Sequence, residues 1–506
     1  MIGYEYLLSK IRVVMPDPKV PARIKPVTRI ERMPEFIAVP RNTAPHGDAT
    51  LLEHALFALK HESLNVGILH EAMKQVPAAD VVEALTQQPF SAYVRRLAFI
   101  WQKANGEELP LPWEPAGNYT PMFDPQDYFT GDSWEREPRL RVDFNGIGPY
   151  DYCPVVRRDE ALQARGAEVL HRLKEWTDDP VNAEVLDRVM SWAYLSETRD
   201  SYAIEHEAPS PTKEQAFLQA MKHLQDRMPL SEDYLVGLQN VVVSERGRAE
   251  QAFRSHQNWL QRGGHGALAV RYVPPPPEAL ESLLNGFMRM ANAEDDVPPL
   301  IKAALVSFGF VFLHPFVDGN GRLSRLLAQH SLNFQGVLPD LRGSPVLLPL
   351  SVAMKKTERE YLAALESFSK PARALWEVIS VADNDFLFNF KSSPMAYAHW
   401  DGQAAAEFIT ACAESALQQS LVDEAVFIHA YDTAFEKIDR TYDLPNRTIN
   451  LLIQWIRQNG GKMPERRRTA QELSGIHPDV VDGIAAIVAQ CFETPGAEMP
   501  TQPSTP

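Results

Sequence analysis

The stretch from Pro299 to Leu327 limits most what this chain can fold into. Between Ile301 and Phe312 it is apolar nearly all round, so a helix there has no face for water and must lie inside a core. It cannot be a membrane span. The longest apolar run, Ala303 to Phe316, is interrupted by Ser307, Gly309 and His314 and falls short of the ~20 residues a bilayer requires. Pro315 stops the helix. A turn around Asn320, flanked by Gly319 and Gly321, follows, and Leu323, Leu326 and Leu327 start a second helix. Backbone N–H groups around Gly319 to Arg322 would then point outward at a helix N-terminus.

That pattern makes an anion site. Unpaired amides and the helix dipole both favour negative charge, and glycines let the backbone approach a phosphate closely. Arg322 and Arg325, three apart on the first turn, can reach one anion. Asp318 can offer a hard oxygen to Mg²⁺ against phosphates. His314, four residues earlier, can act as a base near neutral pH. Taken singly, His314 reads as a core histidine, Asp318-Gly-Asn-Gly321 as an ordinary turn and the arginines as a solvated face. Together behind a buried helix they read as one site. The segment is not a P-loop, which needs GxxxxGK[ST], and it lacks the third glycine and the leading strand of GxGxxG.

His314 to Arg325 resembles the Fic-domain signature HxFx[DE]GNGRxxR at every specified position. The resemblance extends upstream through Phe253-Arg-Ser-His-Gln-Asn-Trp259, Tyr272-Val-Pro-Pro-Pro-Pro277 and Pro298-Pro-Leu-Ile301, and downstream through Leu350-Ser351 and Glu360-Tyr361-Leu-Ala-Ala-Leu365. It covers about 190 to 370. More loosely, the N-terminal part and Asn459 to Arg468 resemble long bacterial members. The resemblance implies a mainly α-helical protein, a Fic core with a short β-hairpin flap flanked by helical N- and C-terminal regions. It implies transfer of AMP from ATP to a Ser, Thr or Tyr hydroxyl of a target protein, with self-modification included. By the same resemblance His314 is the base and Asp318 holds Mg²⁺ (or Mn²⁺). Gly319, Asn320 and Gly321 stabilise the α-phosphate, while Arg322 and Arg325 bind the β- and γ-phosphates. The flap, with Asn258, Trp259, Leu260, Gly263 and Gly264, docks target backbone as an added strand. Tyr361 is either a nucleotide contact or a core aromatic.

Ser201-Tyr-Ala-Ile-Glu205-His206 resembles the family's inhibitory helix motif [ST]xxxE[GN]. It implies that Glu205 pairs with Arg325 at the γ-phosphate position, so that triphosphate binds out of line. His206 departs from the usual Gly or Asn, which puts the helix-end geometry in question. The alternatives are removal of AMP, with Glu205 positioning a water, and a regulatory protein that binds nucleotide without turnover. The intact motif favours an enzyme over the latter.

Around this core, residues 1–48 read as irregular because of Pro16, Pro18, Pro21 and Pro26, and 50–104 as a small helical layer. Residues 110–154 hold eight prolines and read as a connector pinned by Trp113, Tyr119, Phe123, Tyr128 and Phe129. The division expected is 1–157 with its Pro-rich connector, 158–395 as core, 396–492 as helical extension and 493–506 as disordered tail. The core includes the inhibitory helix at about 195–207 and the flap at about 255–273. Thr212 to Gln215 reads as a capping box, and Ala267–Val273 as a strand. Lys and Arg total 50 against 66 Asp and Glu, a net charge of −16, which argues against general nucleic-acid binding. The run Lys462 to Arg468 reads as a solvated loop. Cys153, Cys412 and Cys491 form no CxxC pair, which suits a reducing compartment. With no signal peptide recognised, the expectation is a cytoplasmic protein, with self-association left open.

Overall fold

The computed structural model describes residues 1–112, 117–224, 227–243, 250–341, 344–382 and 385–492. The apolar helix forms over Pro299–Leu313, and thirteen of its 15 residues are buried. Phe308, Phe310 and Phe312 pack against Phe287, Phe316, Phe368, Trp400 and Phe408. Each such ring contributes roughly 1.5–3 kcal/mol by leaving water. The helix's one charge, Lys302, is buried and meets Asp295 at 2.9 Å, each side chain 1% exposed. Pairing is what makes a buried ammonium tolerable.

The described residues are mainly α-helical with small two- and three-stranded sheets, in agreement with the expected class. They belong to two compact units. The first contains Met1–Ala167, Pro209–Val337 and Thr357–Thr410; the second contains Glu168–Ala208, Leu338–Lys356 and the chain from Ala411 onward. In the first unit four helices, Leu51–His61, Val66–Met73, Ala78–Gln87 and Ala92–Asn105, make the expected helical layer. The second unit has its own core, in which Ile449, Leu452, Ile453 and Ile456 pack with Ile438, Ile484 and Val488.

Several expectations are corrected. Residues 1–48 are not wholly irregular. They hold a helix, Gly3–Leu8, and a sheet in which Ile37–Val39 pairs with both Ala22–Ile24 and Glu31–Arg32. The prolines fall between these pieces rather than within them. The connector holds another small sheet, Thr120–Pro121, Val142–Phe144 and Glu135–Glu137. It is pinned as expected by buried Phe123, Tyr128 and Phe129; Trp113 lies outside the described residues. Thr212 is not a cap. Ser210 caps the helix Pro211–His223 by accepting from Lys213, with Pro211 in the first turn, where its missing donor costs nothing. A true capping box, Thr50 with Glu53, starts Leu51–His61. Ala267–Ala269 is a 3₁₀ turn, and only Val270–Tyr272 is strand. The region called helical up to 395 contains an antiparallel hairpin, Trp376–Ala382 with Asp385–Phe390. In the C-terminal part Gln403–Ala416 runs through a π-helical turn, Leu417–Val422, into Asp423–Thr441. The tail 493–506 lies outside the described residues. Among the described residues no helix is long and apolar enough to cross a membrane.

Candidate functional site

His314 ends the apolar helix with φ 50° and ψ 57°, a left-handed conformation that a non-glycine residue holds only when its surroundings impose it. Its N–H donates to the Phe310 carbonyl at 2.9 Å. Its own carbonyl accepts from Arg254 Nε at 2.9 Å. The ring Nδ1 lies 3.1 Å from the Val311 carbonyl oxygen. A carbonyl only accepts, so Nδ1 carries the proton and Nε2 keeps its lone pair. Burial lowers the ring pKa to about 4; Arg254 pushes the same way, while the Val311 bond and Asp318 oppose it. The ring is therefore neutral at pH 7.

The turn after His314 is closed by Asn320. Its Oδ1 accepts from Phe316 N–H at 3.0 Å and its Nδ2 donates to the Phe316 carbonyl at 2.8 Å. The Asn320 amide thus holds the loop closed. Gly319 has φ 87°, and a Cβ there would stand 2.9 Å from Val243 Cγ2. Both facts call for glycine. The motif helix Asn320–Phe334 starts at this point, with no acidic residue in its first turn. Its first N–H groups have no partner inside the helix. Arg322 and Arg325 are each 2% exposed. Asp318 Oδ1 accepts from Gly319 N–H at 2.6 Å and from Arg322 Nη2 at 3.0 Å. With its side chain 29% exposed at the rim of the loop, it suits a divalent cation. Mg²⁺ commonly takes one or two carboxylates, with waters and substrate phosphates completing its octahedron. Among the described residues no group of three or more His, Cys, Asp or Glu could hold a metal by itself.

The flap is two short strands, Leu260–Gln261 and Val270–Tyr272, paired antiparallel. Gly263, Gly264 and Gly266 carry positive φ between them. Asn258 ties its root to the motif loop by donating to the Phe316 carbonyl at 2.9 Å. Tyr361 belongs to the aromatic core: it is buried, stacked on Phe408 at 5.6 Å and edge-on to Phe308 at 6.1 Å.

Sequence reasoning missed Arg254. It is buried, and besides His314 it donates to the carbonyls of His256 at 3.1 Å and Pro275 at 2.6 Å. One side chain thus holds the base's backbone and both approaches to the flap. The signal was present in Phe253-Arg-Ser-His-Gln-Asn-Trp259, but nothing in spacing says which carbonyls a lone arginine will meet.

In the second unit, Ser201 is buried in the helix Leu186–Ala203 and Glu205 follows its end. His206 takes φ 59°, the left-handed conformation that Gly or Asn favours at a helix terminus. The departure in residue type is therefore no departure in backbone. Glu197 fastens this helix by accepting from Ser351 N–H and Ser351 Oγ, both at 2.7 Å.

A model of the Fic/DOC family matches residues 229–332. The chain carries a Fic domain. The match runs from the helix Glu232–Val243, whose last residue meets Gly319, through the flap and His314 into the motif helix. "Protein adenylyltransferase Fic" of Nematostella vectensis is 25% identical over 218 residues, covering 38% of this chain and 51% of that protein. The protein of the same name from Drosophila melanogaster is 40% identical over 89 residues, 17% of this chain and 16% of its own. The chain thus spans about half the length of the first relative and much less of the second. Among solved structures, a Fic family protein from Desulfovibrio desulfuricans G20 aligns with TM-score 0.38 and 15% identity, covering 64% of this chain and 86% of that one. Fic-1 from C. elegans aligns with TM-score 0.35 and 15% identity, over 73% and 96%.

Proposed function

We propose that this protein transfers AMP from ATP to a hydroxyl side chain of a target protein, itself included, and that Glu205 restrains it. The observation that carries the reading is a neutral, backbone-locked His314 directly before a helix N-terminus bearing Arg322 and Arg325. His314 Nε2 accepts the hydroxyl proton as the oxygen attacks the α-phosphorus. The bond from the α-phosphorus to the bridging oxygen breaks and pyrophosphate leaves. N–H groups of the first turn of the motif helix, those of Asn320 and Gly321 among them, meet the charge on the α-phosphate, and the two arginines meet the β- and γ-phosphates. This is catalysis by positioning and electrostatics. Asp318 would hold Mg²⁺, which when bound neutralises phosphate charge. The flap edge aligns the target backbone. A location in the cytoplasm is part of the same proposal.

The test uses α-labelled ATP, Mg²⁺ and cell lysate with wild type, Glu205→Gly and His314→Ala. Glu205→Gly is expected to raise labelling of targets and of the enzyme itself. Adding Arg325→Ala is expected to cancel the gain, because the γ-phosphate then lacks that cation. Flat or falling labelling in the single variant removes the inhibitory role. If it falls together with loss of AMP release from a modified target, Glu205 is instead the water-positioning residue of an AMP-removing enzyme. Nucleotide binding without labelling in any variant leaves a regulatory nucleotide-binding protein. Asp318→Ala is expected to lose metal-dependent turnover; identical metal titrations in variant and parent would rule that role out.

A further inference from the structure

Between Gln251 and Pro277 the chain has no Asp or Glu, its longest stretch without one, although the whole carries a charge of −16. The flap lies within this stretch. Arg262 follows its first strand, Leu260–Gln261, and donates its N–H to the Ala269 carbonyl at 3.1 Å. Arg271 is the middle residue of the second strand, Val270–Tyr272. Both arginine side chains are exposed. Arg271 faces outward because strand alternation buries its neighbours Val270 and Tyr272 on the other side. Arg136 and Arg188, also exposed, meet Asp143 and Asp432 of the chain itself. Among the described residues Arg262 and Arg271 meet no carboxylate.

The flap holds these two charges in place. Tyr272 Oη donates to the Phe312 carbonyl, within the helix that His314 ends. Arg373 donates to the carbonyls of Val270 at 3.0 Å and Ala267 at 3.3 Å. Trp259, at the flap root, packs on Phe386 and Phe388 of the later hairpin with ring centres at 5.7 and 5.2 Å. A chain added to either strand therefore runs beside an arginine. Its side chains become cross-strand neighbours of the flap's own. Opposite charges across strands are favourable there, and like charges are not.

We infer that the flap selects targets by charge: the acceptor hydroxyl is taken from segments that carry Asp or Glu beside it, with Arg262 and Arg271 as their partners. The inference rests on the adenylyl-transfer reading, in which the flap aligns target backbone. Backbone pairing is blind to side chains, so discrimination falls to what the flap presents next to it. The charge of the whole chain does not cancel the preference. At physiological salt exposed charges are largely screened beyond about 8 Å, so a guest strand responds to the two arginines beside it. Nucleic acid fits less well. Its affinity grows with the number of phosphates neutralised, and two arginines on a protein of charge −16 neutralise few.

The test maps the modified sites. Lysate, with and without nuclease treatment, is labelled with ATP and Mg²⁺ by the wild-type and Glu205→Gly enzymes, and AMP-bearing peptides are sequenced by mass spectrometry. Within about four residues of the modified hydroxyl, the reach of a short added strand, Asp and Glu are expected to exceed their frequency around unmodified hydroxyls of the same proteins. Lys and Arg are expected to be depleted there. Arg262→Glu with Arg271→Glu, both exposed and so without cost to the core, is expected to invert this bias. The ratio of acid-flanked to base-flanked sites should move by about tenfold, two exposed attractions being exchanged for two repulsions. The same ratio, measured for the parent in about 0.5 M salt, should shrink. ATP affinity by calorimetry is expected to stay at the parental value. Sites without acidic bias, a bias that survives charge reversal, or lost ATP affinity in the variant would overturn selection by charge while leaving adenylyl transfer intact. Labelling that disappears on nuclease treatment would assign the arginines to nucleic acid and overturn it as well. If neither parent enzyme labels any protein, both readings fall.

Discussion

His314→Ala is expected to reduce AMP transfer by roughly 10²–10⁴-fold, the usual cost of removing a general base, while ATP affinity stays close to wild type. The separation follows from geometry. His314 is the last residue before the loop and offers no group to the phosphates, whereas the N–H groups of the motif helix and Arg322 and Arg325 remain. Calorimetry of nucleotide binding alongside labelling separates the two quantities; lost ATP affinity with unchanged transfer would contradict the assignment. The wild-type pH profile carries a second test. Transfer needs the neutral ring. Burial lowers the pKa to about 4, so the neutral form persists down to about one unit above that value. The profile of kcat/KM should therefore be flat from pH 8 to about 5 and fall as His314 protonates below it. An unperturbed histidine would already be half protonated at about 6.5. A midpoint near that value would show that His314 is not the base, or is not buried in the working enzyme.

The largest stability loss is expected from Arg254→Ala. The guanidinium donates to the carbonyls of His314, His256 and Pro275, and the Arg254 N–H donates to the Pro315 carbonyl at 2.8 Å. Removing the side chain strands the carbonyls of His314 and Pro275, whose bonds are buried, at about 1–3 kcal/mol each where water cannot replace the donor, while the His256 carbonyl can turn to water. We expect a loss of roughly 3–5 kcal/mol in all, read as a shift in a urea or thermal unfolding curve. Burial brings the Arg254 pKa down to about 10, so the group stays charged at working pH and no titration below pH 8 should mimic the variant. Arg254→Lys keeps the charge but not the planar fork that meets carbonyls in three directions. It should recover part of the stability and less of the activity, since His314 would lose the donor that helps hold its left-handed backbone. A melting curve unchanged by Arg254→Ala would refute this role.

The candidate site could be read from sequence because its chemistry is local. His314, Asp318, Gly319, Arg322 and Arg325 lie within twelve residues, and the turn between two helices follows from Pro315 and two glycines. The distal hairpin was legible in principle: Trp376 to Phe390 is rich in β-branched and aromatic residues on either side of the turn-forming Asp383-Asn384, and the helical signals on either side obscured it. The cap at Ser210 was hidden differently. Ser210 and Thr212 both precede helix-compatible residues, and the choice falls to Pro211, which is preset for the first helical position. The short strands before residue 48 have no adequate signal of their own. Two- and three-residue strands exist because neighbouring chain offers them partners, which no local window contains.

The amino-acid sequence alone determined that a nearly all-apolar helix would be buried, that a glycine-flanked turn would follow it, and that a second helix would present its N-terminus and two arginines there. These follow from periodicity, proline and glycine, and need no knowledge of distant residues. Only the tertiary structure decided that the Asn320 side chain closes the loop and that Val243 crowds position 319, where a Cβ would stand 2.9 Å from its Cγ2. It alone showed that Arg254 fixes His314 from 60 residues away, that Tyr361 belongs to the core, and that a hairpin more than 100 residues beyond the flap packs against it. The physical reason is one of range. Helix formation and turns are settled by energies between neighbours in sequence, whereas burial, desolvation and the pairing of buried polar groups depend on whatever the folded chain brings within about 3–4 Å.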